Sequence, residues 1–153
     1  MRWKIEDMEQ LNGMEEYVDT LLYPVCISGE QWDEQWVKEQ FWLERVCDYA
    51  ERQLTGRLFL FQPLHAVKKS EMDNRITLQF IDQTVRSLSS RFPYHLVVLN
   101  DASASEEMKE KGIDAYVISP PPEEKADTKL FVEKALNESN RIVKLFVERW
   151  KKI

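Results

Sequence analysis

The sequence contains only four glycines, and none lies in a Gly-x-Gly-x-x-Gly or Gly-x-x-x-x-Gly-Lys-Ser/Thr run. No glycine loop is therefore available to cradle a phosphate with its backbone amides. Cysteine and histidine are nearly as scarce, with two of each and no Cys-x-x-Cys pair. That set is too poor for a structural zinc site, so neither a metal nor a cofactor is expected. Cys26 and Cys47 both sit in apolar surroundings, which fits buried free thiols in a reducing compartment better than a disulfide. No apolar run reaches the length of about eighteen residues that a membrane-spanning helix needs. The opening Met1–Asp7 lacks the apolar centre of a secretory signal, and a cytoplasmic location is expected. Positive charge is also short, with 21 basic against 27 acidic residues and a net charge of −6. Such a surface repels a phosphate backbone, and no nucleic-acid partner is expected.

What is present is an ordinary globular balance: 153 residues, 43% hydrophobic and 31% charged. This suffices for one domain with a sizeable core. There is no internal repeat and no low-complexity segment. The whole chain, 1–153, reads as a single α/β domain, with 1–18 as an arm or helix packed on it.

Strand-like and helix-like runs alternate. Thr20–Ser28 is almost continuously apolar, as a strand buried on both faces should be. Pro24 is awkward there, because it cannot donate to a ladder, and it implies a late strand start or a bulge. A helix is expected from about Glu30 to Leu54, capped by Ser28 or Gly29, with Gln31 at capping-box spacing from Ser28. Arg57–Pro63 reads as a second strand, Leu64–Ser70 as a loop, and Met72–Arg91 as a helix with Ile76, Phe80, Ile81, Val85 and Leu88 on one apolar face. Tyr94–Asn100 is the third strand. A short helix over Ser105–Lys111 has Ser103 as its expected cap, and Gly112 stops it. Ala115–Ser119 is the fourth strand. After Pro120–Pro122, a last helix is expected over Glu123–Lys151. This pattern predicts a three-layer α/β/α sandwich on a four-stranded parallel sheet, order 2-1-3-4, flavodoxin-like in outline.

In such a sheet ligands bind beyond the carboxyl ends of the strands, where the strand order switches. Here that crevice falls between the first and third strands. The catalytic candidates are Asp101, His65, Ser28 and Ser103, a set with nucleophile, base and orienting acid. Asn100, Lys68, Lys69 and Ser119 are the ligand-binding candidates. Each has a plainer reading. The serines suit helix caps, His65 suits a loop, and Asp101 suits a turn. No Gly-x-Ser-x-Gly elbow presents either serine. Acids at the helix starts, among them Glu30, Asp33, Glu34, Glu106 and Glu123, oppose an anionic ligand there. A receiver domain is excluded, because no acidic cluster follows the first strand.

Aromatics are abundant. Phe41, Trp42 and Tyr49 form a second apolar stripe on the first long helix, apart from Trp32 and Trp36. Either the core is thick or these residues are an interface for a second copy or another protein.

Met1-x-Trp3, then Glu16–Thr20 running into Pro24 and Ile27–Ser28, then Leu54–Leu60 followed by Pro63, resemble the YpiF-like proteins of Bacillus-type bacteria. The likeness covers the first half. Beyond Met72 it rests on length and element order. That family is a domain of unknown function, so the resemblance implies a cytoplasmic bacterial protein and supplies no catalytic residues. The functional expectation is a non-catalytic interaction or regulatory module. The alternative is a small-molecule-binding or hydrolytic enzyme at the ends of the first and third strands.

Overall fold

The computed structural model describes residues 1–29 and 33–152. The chain runs α1 (Ile5–Leu11), β1 (Thr20–Ser28), α2 (Glu34–Gln53), β2 (Leu58–Leu60), β3 (Leu64–Val67), α3 (Glu71–Leu88), β4 (Tyr94–Leu99), α4 (Ala102–Glu110), β5 (Ala115–Val117) and α5 (Lys129–Lys151). Among the described residues the sheet has five strands, all paired in parallel. Its order is β2-β1-β4-β5, with β3 also on β1. This corrects the expected four strands: a fifth, β3, is inserted, so the order expected as 2-1-3-4 becomes 2-1-4-5 with β3 beside it. Residues 64–67, expected as loop, form β3 and pair with the far half of β1.

Pro24 explains the split. Thr20 N–H donates to Arg57, Leu22 C=O accepts from Phe61, and Ser28 C=O accepts from Lys68. Backbone groups of alternate residues in a strand point the same way, so even-numbered residues of β1 face β2 and β3. Pro24 would have donated on that side. Opposite it the register slips: Leu22 pairs with Leu60, but Val25 pairs with Leu64. Two residues of β1 thus face three, Phe61–Pro63. This bulge lies where the proline has no N–H to give.

Every residue of β1 is buried, as its apolarity predicts. Leu22, Cys26, Leu58, Leu96 and Val98 pack with Leu43, Val46 and Cys47 of α2 and with Phe131, Ala135, Ile142 and Phe146 of α5. On the other face, Tyr23, Val25, Ile27, Val97 and Leu99 pack with Leu78, Ile81 and Val85 of α3 and with Ala104 and Met108 of α4. These are the three layers. Met1, Leu11, Val18, Leu21, Phe59 and Phe92 form a third cluster. There the arm lies along β2, with Arg2 bridging Leu60 in parallel.

Several helix starts differ from expectation. Ser28 ends β1, with its carbonyl paired to the Lys68 N–H, and is not the cap of α2. The cap of α2 is Asp33, which accepts the Trp36 N–H at 3.0 Å. The expected start at Glu30, with Gln31 and Trp32, lies outside the described residues. The α4 cap is Asp101, not Ser103. α5 starts at Lys129 rather than Glu123, because Asp127 adopts a left-handed φ of 62° that breaks a helix there. In α3, Ile76 and Phe80 are 59% and 51% exposed, not inward. The apolar set expected on that helix is wider than one face, and the sheet covers only the side carrying Leu78, Ile81 and Val85.

His95 is the second residue of β4, and its Nε2 accepts the Asp114 N–H at 3.0 Å, which requires neutral imidazole. Burial is the main cause that lowers its pKa below 6.5; nearby Arg149 adds to this and Asp114 opposes it. The unfolded chain therefore takes up this proton first as pH falls, so the contribution is complete above pH 6.5 and is lost below it as pH approaches the folded-state pKa. Urea midpoints at about pH 5 and about pH 7.5 are expected to differ less in His95→Gln than in the parent. An equal difference would show that His95 does not contribute.

Candidate functional site

β1 outruns β4. Val25 pairs with Leu99, after which β4 ends while β1 continues to Ser28. Ile27 therefore presents an N–H and a C=O toward a vacated rung. The Asn100 amide fills it. Oδ1 accepts the Ile27 N–H at 2.8 Å, and Nδ2 donates to the Ile27 C=O at 2.9 Å. Nδ2 also lies 3.4 Å from Glu39 Oε2 of α2. Both polar atoms of this ligand candidate are thus committed to the sheet.

Asp101 follows and caps α4, its Oδ1 accepting the Ala104 N–H at 2.9 Å. Its Oδ2 lies 3.8 Å from Lys68 Nζ. Lys68 also donates its backbone N–H to Ser28, which extends the β1–β3 ladder. Lys69 is exposed, and its backbone N–H donates to Asp73 at 3.0 Å. Ser28 is buried, its Oγ 4.0 Å from Cys26 Sγ. Burial pushes the Cys26 thiol up to about 11, the wrong direction for a nucleophile. His65 is exposed on β3, opposite Cys26 in register. Ser103 is exposed on α4. The structure brings Lys68 to Asp101. No hydrogen bond or ion pair joins His65 to Asp101, Ser28 or Ser103 among the described residues.

Ser119 belongs to a different cluster. Its hydroxyl donates to Glu138, as does the Tyr116 hydroxyl, and its C=O accepts the Trp42 indole N–H at 2.7 Å. Glu138 is buried beneath them, with Arg141 at 3.7 Å. Burial first, and then the Glu138 hydrogen bond and charge, raise the Tyr116 pKa to about 12. Glu138 is a buried acid that no sequence motif singles out. The available signal was its position within the apolar stripe Phe131, Ala135, Ile142 and Phe146.

A cleft of about 490 Å³ opens at the bulge, between Trp3, Pro24, Phe61 and Pro63 on one side and Phe41 and Cys47 on the other. Three arginines reach it, and each guanidinium is matched. Arg2 pairs with Asp48 and Glu51, Arg52 with Asp48, and Arg45 with Asp127. Of the three interface candidates, Phe41 lines this cleft, while Trp42 lies beside Ser119 and Glu138. Trp42 is only 2% exposed and meets Phe131 edge-on at 5.4 Å. Phe41 is half-buried against Phe131 with Arg45 over its ring, and Tyr49 is half-buried with Arg52 at 5.7 Å.

No cluster of three or more His, Cys, Asp or Glu side chains able to hold a metal occurs among the described residues. Nor is any described helix long and apolar enough to cross a membrane. The architecture is a three-layer α/β fold on a parallel sheet, without an obvious catalytic signature. The chain belongs to the family described as protein of unknown function (DUF2487), whose model matches residues 9–150. It is 27% identical over 104 residues to the uncharacterized protein YpiF of Bacillus subtilis (strain 168), covering 67% of this chain and 68% of that protein. The resemblance read from the first half of the sequence is thus shown. No solved structure matches the chain.

Proposed function

We propose that this protein is a non-catalytic interaction or regulatory module that docks through the outer face of α3. One observation carries the reading: Met72, Ile76 and Phe80 are 61%, 59% and 51% exposed. They recur every fourth residue and so share one line along the helix. Scattered apolar residues on a surface need no explanation, but an aligned set marks a contact site. A cytoplasmic setting accompanies this reading, supported by the buried free thiols of Cys26 and Cys47. The enzyme alternative, with its site at the ends of β1 and β4, requires Asp101, Asn100 and Ser28 to leave the structural contacts that now hold them.

A photo-crosslinking residue placed at Ile76 tests the proposal in cells, with the same residue at exposed Lys144 on α5 as control. Adducts to another polypeptide are expected from position 76 and not from 144. Adducts from neither position, or equally from both, would overturn the reading.

A further inference from the structure

We propose that the occupant of this face is a second copy of the chain, the two α3 helices packing antiparallel about a two-fold axis. The inference rests on α3 being the docking face. It adds the partner and the geometry, which follow from the charges beside the apolar line. Arg75 is exposed and makes no ion pair among the described residues. Asp82 lies seven residues further on. Seven residues turn a helix to within about 20° of its starting direction, so Arg75 and Asp82 share a flank.

A two-fold axis passing between Leu78 and Gln79 sets Arg75 of each copy opposite Asp82 of the other, twice over. Asp82 can accept it. Its side chain is one-fifth exposed, its Oδ1 takes the Arg86 Nε–H at 2.8 Å, and its Oδ2 makes no hydrogen bond among the described residues. The same operation lays Ile76 of each copy beside Phe80 of the other. It also brings the acidic first turn, Glu71 and Asp73, toward the basic last turn with Arg86, and opposes the two helix dipoles. A parallel arrangement would set like charges side by side instead. The face is self-complementary only in the antiparallel sense, as an isologous contact requires.

The test is molar mass by light scattering on the purified full chain, from about 1 μM to about 100 μM. The mass is expected to climb from that of one chain toward two. Phe80→Glu should remain at one chain. Arg75→Glu and Asp82→Arg should each weaken association about tenfold, and the double exchange should recover it. Circular dichroism on each variant checks that the fold is kept. A single-chain mass throughout would overturn the proposal, as would a double exchange no better than its parents. If the mass stays at one chain while position 76 crosslinks to a different polypeptide, the docking reading survives and the second copy does not. If position 76 also yields no adducts, both fall.

Discussion

Trp42→Ala is expected to lower the unfolding free energy by about 3–5 kcal/mol, the usual range for truncating a buried tryptophan. The side chain is 2% exposed and sits in the cluster that joins α2, α5 and the sheet. Its loss leaves a void beside Phe131, whose ring meets the indole edge-on. It also strips the Ser119 C=O of its indole donor. Ser119 lies just beyond β5, at the entry to the proline turn, so the damage includes the anchoring of that segment. Trp42→Phe separates the two effects. It refills much of the volume and removes only the N–H, for a loss of about 1–3 kcal/mol from the unsatisfied carbonyl and residual gap. Urea titrations followed by far-ultraviolet circular dichroism read both variants. A loss below about 1 kcal/mol for Trp42→Ala would put the indole outside the core and return it to the interface role suggested by its stripe on α2.

That stripe shows where sequence reading succeeds and where it runs short. Continuous apolarity over Thr20–Ser28 correctly gave a strand buried on both faces. The alternation of runs gave the layered α/β class. Pro24 signals trouble for the ladder, but its resolution depends on the opposite strand, where the extra residue within Phe61–Pro63 cannot be seen from β1. Leu64–Val67 is too short and mixed to declare itself a strand, and β1 supplies the pairing that makes it one. Helical periodicity identifies which residues can share a side. It does not say which of two apolar sides meets the sheet. Trp42 went in where an outward place was considered, and Ile76 and Phe80 stayed out although Ile81 and Val85 of the same expected face went in. At the sheet's carboxyl end, Asn100 and Asp101 were correctly placed. Their tasks were hidden, because Asn100 answers a mismatch in length between β1 and β4 that only the fold creates. Glu51 and Glu138 were missed because an acid beside apolar helix positions looks like a solvated neighbour until its counterpart arrives from a distant segment.

Glu51→Ala should be as damaging as the loss of Trp42, for an electrostatic reason. Glu51 is 3% exposed on α2. Its Oε1 accepts the Met1 ammonium at 2.7 Å, and its Oε2 lies 2.9 Å from the Arg2 guanidinium. Removing one partner of a buried pair leaves charge in a poorly solvating place, at a cost of about 3–5 kcal/mol. The arm has a second hold on the body, since Asp48 also pairs with Arg2. Glu51→Gln keeps the shape and one acceptor, and should fall between the parent and the alanine variant. Hydrogen exchange locates the damage. Leu60 N–H donates to Met1 C=O at 2.8 Å, and Trp3 N–H donates to Leu60 C=O at 3.2 Å. Both amides should lose protection in Glu51→Ala if the carboxylate is what seats the arm. Retained protection with little loss of stability would mean that Asp48 and the burial of Met1 suffice. Release of the arm would also bare the outer edge of β2, an unpaired row of backbone groups open to another strand. The variant should therefore associate more than the parent as it destabilises, whereas Trp42→Ala, which leaves that edge covered, should not.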